Sequence, residues 1–198
     1  KQIDEIIDLL IKDCSEQFDW SMISPTIFGA VFESTLNPQT RRNGGMHYTS
    51  IENIHKVIDP LFLDELKEEF TQIKSIKKSR KLKLEEFQNK LASLTFLDPA
   101  CGSGNFLTET YLSLRRLENE VLKELLQTEG KGSTLAGLIT DIHQYNLIKV
   151  SISQFYGIEI NDFAVNVAKT ALWIAENQMM KETENIIHMD LDFLPLKT

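Results

Sequence analysis

One stretch constrains the fold of this chain more than any other: Thr95-Phe96-Leu97-Asp98-Pro99-Ala100-Cys101-Gly102-Ser103-Gly104-Asn105-Phe106-Leu107. Leu94 to Leu97 is apolar enough for a buried strand, Asp98-Pro99 stops it, and Gly102-Ser103-Gly104 supplies the backbone freedom for a tight turn. A helix then runs from about Asn105 to Gln127, with Leu107, Tyr111, Leu114, Leu117, Val121, Leu122 and Leu125 as its apolar positions. Gly130 to Ser133 breaks it. Ile148 to Ile152 alternates like an extended segment, and Gln154-Phe155-Tyr156-Gly157-Ile158-Glu159-Ile160 reads as a second buried strand ending in an acid. Asn161-Asp162 opens another helix, apolar on more than one side and expected to pack on a sheet, with Trp173 and Met179 in the core. Strand, helix, strand, helix in that order is the first half of a doubly wound α/β sheet.

Residues 1–93 read as helical. Ile3, Ile6, Ile7, Leu10 and Ile11 recur at helical spacing and predict an amphipathic helix whose role is packing. Ser24-Pro25 starts a second helix over about residues 26–36, and Asn37-Pro38 ends it. Thr49 and Glu52 fit a capping box for a third helix carrying Ile51, Ile54, Val57 and Ile58. Its N-terminus is either an ordinary cap or a place where an acceptor group docks. Beyond Asp59-Pro60 the pattern is charged and helical to Leu91, with a break around Ser75 to Ser79. The basic run Lys74, Lys77, Lys78, Arg80, Lys81 and Lys83 falls on that break; it is a solvated helix face or a phosphate contact.

Composition excludes several classes. With 25% charged and 42% hydrophobic residues among 198, the chain is globular. A net charge of -8 makes it a poor main grip on nucleic acid. Cys14 and Cys101 suit reduced thiols in the cytoplasm, and the scattered His47, His55, His143 and His188 give no metal-site spacing. No apolar run reaches the roughly 18 residues of a membrane span. The first residues, which lack a methionine, read as the middle of a helix, so the chain is expected to be part of something longer.

The ligand follows from the strand ends. In a doubly wound sheet a small molecule lies at the carboxyl ends of the strands, on a glycine-rich first turn, with an acid after the second strand holding ribose hydroxyls. Gly102, Gly104 and Glu159 meet that description. The dinucleotide fingerprint is absent: its third glycine is missing, and Glu159 lies far beyond the roughly 20 residues at which its acid stands. Asp98 would repel a pyrophosphate and attract an ammonium group. S-adenosylmethionine carries a ribose, an ammonium group and a sulfonium cation.

These residues also carry a resemblance. Asp98-Pro99-Ala100-Cys101-Gly102-Ser103-Gly104-Asn105-Phe106-Leu107 resembles motif I of S-adenosylmethionine-dependent DNA amino-methyltransferases, in the form typical of N6-adenine enzymes from restriction-modification systems. Gly157-Ile158-Glu159-Ile160 is similar to motif II, and Gly45-Met46-His47-Tyr48-Thr49 to motif X, which precedes motif I in the gamma-class order. The helix from Ala164 to Trp173 resembles bifunctional single-chain type II enzymes. The resemblance implies a partial class I methyltransferase (Rossmann-like) fold with an N-terminal helical annex. Residues 1–93 would carry the motif X-like segment, and residues 94–198 the first half of the cofactor-binding domain. Asp98 would serve the cofactor's amine, and Ala100, Gly102, Ser103, Gly104, Asn105 and Phe106 would line its methionine and adenosine. Glu159 would take the ribose hydroxyls, Ile160 would pack on the adenine, and Tyr48 and Thr49 would close the methionine end. Cys101 would be a small packed side chain and no nucleophile.

The family's catalytic motif, Asn or Asp followed by Pro-Pro and an aromatic, occurs nowhere in the chain and is expected downstream. The acid of motif III is likewise expected beyond Thr198, with Asp190 and Asp192 poor substitutes, and the insertion over 130–148 departs from the family's pattern. The function implied is methyl transfer to adenine N6 in duplex DNA by the full-length protein, as part of restriction-modification. The alternatives are a non-catalytic cofactor-binding or interaction module, and a methyltransferase acting on RNA or protein.

Overall fold

The computed structural model describes residues 2–9, 11–12, 23–28, 31, 49–128 and 147–187. Helix α1 spans Gln2–Leu9. Its periodic isoleucines form the expected helix but do not pack among the described residues, because Ile3, Ile6 and Ile7 are all exposed. Of the helix expected over 26–36, residues 25–28 and 31 are helical, with Ser24 Oγ accepting from the Ile27 amide.

Helix α2, Ile51–Ile58, starts one residue later than the capping box requires. Ser50 is its N-cap and accepts from the Asn53 amide at 3.4 Å, so Thr49 stands outside the helix and Glu52 makes no box with it. Asp59-Pro60 does not end the helical path. A π-helical segment, Asp59–Leu63, carries the chain into α3, Asp64–Ser75, and accommodates Pro60, which has no amide to give to the preceding turn. The expected break follows, with Ser79 at φ 59°, and α4 spans Arg80–Ser93. Phe70 and Phe87 stack across the α3–α4 pair at 5.8 Å. Lys74 lies over the Phe70 ring, Arg80 pairs with Glu124, and Lys83 with Glu86, so the basic run is partly tied to its own fold.

Strands β1, Phe96–Asp98, and β2, Phe155–Gly157, pair in parallel with Phe96 opposite Phe155 and Leu97 opposite Tyr156. Between them runs α5, Asn105–Thr128, and after them α6, Asp162–Ile187. Both strands are shorter than the apolar runs implied. Alternation puts Phe96 and Phe155 on one face, where they stack at 5.2 Å with Tyr111 of α5 edge-on to Phe155. The other face carries Leu97 and Tyr156, 63% and 55% exposed, so the two strands are buried on one side only among the described residues. Ile148 to Ser151 forms no strand, and Ile152–Gln154 is a 3₁₀ turn.

Helix α6 corrects a second expectation. Its buried positions, Ala164, Val167, Ala168, Ala171, Ala175, Met179, Thr183 and Ile187, form a single stripe. That stripe packs mainly on α5. Met179 is in the core; Trp173 is only half-buried. The described fold is therefore a helix-dominated α/β arrangement around a small parallel sheet, and α5 is its axis: sixteen of its residues are buried.

Candidate functional site

The glycine turn forms as its residues demand. Gly102 and Gly104 have φ of 53° and 78°, in the left-handed region that glycine occupies without a Cβ penalty. A Cβ on Gly102 would meet nothing within 4 Å, so the turn opens outward there. A Cβ on Gly104 would lie 2.8 Å from the Ala168 Cβ, so this second glycine lets α6 approach the start of α5. The Gly104 amide donates to Cys101 O at 2.8 Å, and Thr108 N donates to Gly104 O at 2.8 Å, which leads the chain into α5.

The turn is fastened to both strand ends. Ile158 N donates to Asp98 O at 2.9 Å and Cys101 N to Ile158 O at 3.1 Å, extending the parallel ladder past the strands. Asp98 Oδ1 accepts from the Ala100 amide at 3.0 Å. Glu159 Oε2 accepts from the Gly102 amide at 2.9 Å, while its Oε1 takes the amides of Ile160 and Asn161. Two carboxylates thus flank one glycine turn at the carboxyl ends of two parallel strands. Asn161 Oδ1 caps α6 by accepting from Phe163 and Ala164.

Cys101 packs as a small side chain. Gly157 leaves it room, since a Cβ there would lie 2.6 Å from the Cys101 Sγ. Burial, then the charges of Asp98 and Glu159, push the thiol above its ordinary pKa and keep it protonated, which is the wrong state for a nucleophile.

Of the residues singled out in the sequence, Asp98, Ala100, Gly102, Ser103, Gly104, Asn105, Glu159 and Ile160 come together in this turn and its two flanking ends. Ser103 and Asn105 are buried, whereas Ile160 stands 92% exposed. Phe106 turns to α2, packing with Ile54, Ile58 and Leu63. Thr49 lies half-buried at the mouth of α2. Tyr48, Asp190, Asp192 and residues 130–146 lie outside the described residues. Asn105 Oδ1 and Thr108 Oγ1 are buried polar atoms with no hydrogen-bond partner among the described residues.

Sequence reasoning passed over a second polar cluster beside the turn. Glu109 of α5 is 2% exposed and accepts from Thr26 Oγ1 and from His55 Nε2, each at 3.1 Å. His55 Nδ1 bonds Asp59 Oδ1 at 2.8 Å. A signal existed: Glu109 is the only charged residue between Asn105 and Leu114.

A parallel strand pair linked by a glycine turn and a helix, with an acid at each strand end, is the arrangement on which α/β units can seat a small molecule. The family is shown by comparison. Residues 73–198 match the DNA-methyltransferase domain of MmeI, and the chain belongs to that family. DNA methyltransferase A of Bacillus subtilis is 43% identical over 96% of this chain and 20% of its own length. A putative type II restriction enzyme and methyltransferase of Methanocaldococcus jannaschii is 28% identical over 87% of this chain and 16% of its own length. The solved structure of the type IIL restriction-modification enzyme MmeI in complex with DNA superposes with a TM-score of 0.80 at 44% identity, covering 98% of this chain and 24% of that one. The chain spans about a fifth of the length of the relatives it matches.

Proposed function

We propose that this chain is the part of a restriction-modification DNA methyltransferase that holds S-adenosylmethionine, and that the full-length protein methylates adenine at N6 in duplex DNA. The observation that carries the reading is the pair of carboxylates fastened to the glycine turn, Asp98 through the Ala100 amide and Glu159 through the Gly102 amide. They offer only acceptors, which suits an ammonium group and two ribose hydroxyls and opposes a pyrophosphate.

The residues fit the group. The outward-opening backbone at Gly102 has space where a side chain would stand, and Asn105 Oδ1 beside it lacks a partner among the described residues. Asp98 would hold the amine, and Ala100, Gly102, Ser103, Gly104, Asn105 and Phe106 would line the site. Ile160, exposed and apolar, would lie on the adenine, and Tyr48 and Thr49 would close the methionine end. Glu159 already accepts from three amides, out of about four acceptor positions. Taking both ribose hydroxyls would therefore draw Oε2 off the Gly102 amide. The cofactor supplies a methyl group on a sulfonium; the groups that would stack on the flipped base and accept from its amine belong to the Asn/Asp-Pro-Pro-aromatic motif, which does not occur in these 198 residues.

The test is calorimetry of the full-length protein with S-adenosylmethionine and with NAD, followed by nucleoside analysis of methylated duplex DNA. Binding of the first alone, with N6-methyladenine as product, is the expected result. Methylated cytosine would sink the base assignment, and binding of NAD would sink the cofactor. The 198-residue chain alone should show no turnover.

A further inference from the structure

Helix α2 lies between two parts of the proposed cofactor site. At its mouth stands Thr49, and its inner face, through Ile54 and Ile58, rests on Phe106 of the glycine-turn helix. That contact is apolar and sets no register by itself. A polar contact one turn further along α5 does: Glu109 reaches across to His55 of α2 and, with its other oxygen, to Thr26.

The chemistry of this contact is unequal. His55 has a carboxylate at each ring nitrogen, Asp59 at Nδ1 and Glu109 at Nε2. Two carboxylates accept and do not donate, so both nitrogens must carry hydrogen and the ring that makes both bonds is imidazolium. The Asp59 hydrogen bond first, and then that of Glu109, raise the His55 pKa above 6.5, with burial opposing. Among the described residues Arg116 adds a further charge at this junction, its Nη1 3.8 Å from Glu109 Oε1 and its side chain 55% exposed. Lys56, beside His55 on α2, turns instead to Asn53 Oδ1. Thr26 faces Glu109 with a neutral hydroxyl.

We infer that Glu109 is a positioning residue for the methyl donor: its buried carboxylate, through protonated His55, locks α2 and the Thr49 at its mouth onto the helix that begins in the glycine turn. This rests on the cofactor reading given above. Glu109 touches no cofactor atom in this scheme; it acts by holding the wall that does. When His55 loses its proton it keeps one N–H for two carboxylates; that N–H stays with Asp59, the closer partner, so the Glu109 bond is lost and the hold of α2 on α5 falls to apolar contacts such as that of Phe106.

Calorimetric titration of the full-length protein with S-adenosylmethionine, at pH values either side of the His55 titration, tests this with Glu109→Gln and His55→Gln beside the unaltered protein. The unaltered protein should bind more weakly as pH rises through the raised His55 value. Both variants should bind about ten-fold more weakly on the acid side and lose that pH dependence, while duplex DNA affinity stays unchanged. His55→Gln, at a partly exposed site, keeps the Thr26–Glu109 bond and provides the reading if Glu109→Gln does not fold. Folded variants that bind the cofactor as tightly as the unaltered protein, with the same pH profile, would overturn the inference. Failure of the unaltered protein to bind S-adenosylmethionine at any pH would instead remove the cofactor reading, and this inference with it.

Discussion

Helix α5 carries two buried carboxylates about two and a half turns apart, and they are held in opposite ways. Glu118, fully buried, pairs with Arg115 and also accepts from Gln88 Nε2 at 2.9 Å and from the Lys149 amide at 2.7 Å. Arg115 in turn donates to Thr183 Oγ1 at 2.9 Å, so the pair joins α4, α5, α6 and the segment that enters β2. Among the described residues Glu109 meets the Thr26 hydroxyl and the His55 imidazole at 3.1 Å, whereas the Arg116 guanidinium stands 3.8 Å away on an exposed side chain that solvent screens. A guanidinium keeps its proton at every physiological pH and an imidazole does not. One helix is therefore braced permanently at the end away from the glycine turn and conditionally at the end beside it.

The largest effect should come from the permanent brace. Arg115→Met leaves Glu118 buried with amide partners but without a counter-charge, a change that costs about 3–5 kcal/mol. Urea unfolding followed by circular dichroism should show this loss or outright failure to fold. A variant of undiminished stability would mean that Gln88 and the Lys149 and Val150 amides suffice to hold Glu118, and the contrast with Glu109 would dissolve.

Next in size is the start of α5. Gly104→Ala combines a left-handed backbone, about 1–2 kcal/mol, with a clash against Ala168, about 1–3 kcal/mol. Gly102→Ala should cost only the first, because nothing stands where its Cβ would go. The difference between the two, read from unfolding midpoints, measures how tightly α6 pins the conditional end. Equal costs would mean that Ala168 yields and that this end is looser than its packing implies.

How far the sequence discloses this arrangement depends on the range of the interaction. The glycine turn, the long helix after it and the parallel order of the strands are written in local signals: two glycines with nothing else to do, an apolar period, and an acid after an apolar run. The α3–α4 break was legible for the same reason. What failed was what neighbours decide. Whether Leu97 is buried depends on what covers the second face of the sheet, and whether α6 packs mainly on the sheet or on α5 depends on Gly104 admitting Ala168. Thr49 and Ser50 are both N-cap residue types, Ser the slightly better, and the backbone path settles on Ser50. The cluster of Thr26, His55 and Glu109 joins residues up to 83 positions apart, and no periodicity reports such a meeting.

A smaller effect should separate the two carboxylates by pH. The folded His55 pKa is raised, first by Asp59 and then by Glu109 against the opposing effect of burial. Its contribution to stability is therefore complete below 6.5, the unperturbed value, and is lost as pH rises through the raised one. Hydrogen-exchange protection in α2 should fall across that window while protection around Arg115 and Glu118 holds. A parallel loss in both regions would show that the whole domain loosens and that Glu109 has no separate role.

The smallest effect isolates α2 from its latch. Ser50→Ala removes the side-chain acceptor for the Asn53 amide, but that bond is long at 3.4 Å, so the cost should be near the low end for a cap, about 0.5 kcal/mol. Thr49→Ala should cost nothing as a cap, since Thr49 stands before the helix. Thermal unfolding of both variants beside Glu109→Gln then decides where the hold on α2 resides. If Ser50→Ala weakened α2 as much as Glu109→Gln does, the helix would owe its place to its own first turn. If only Glu109→Gln does so, the place of α2 is set from across the interface, by a carboxylate on the helix that leaves the glycine turn.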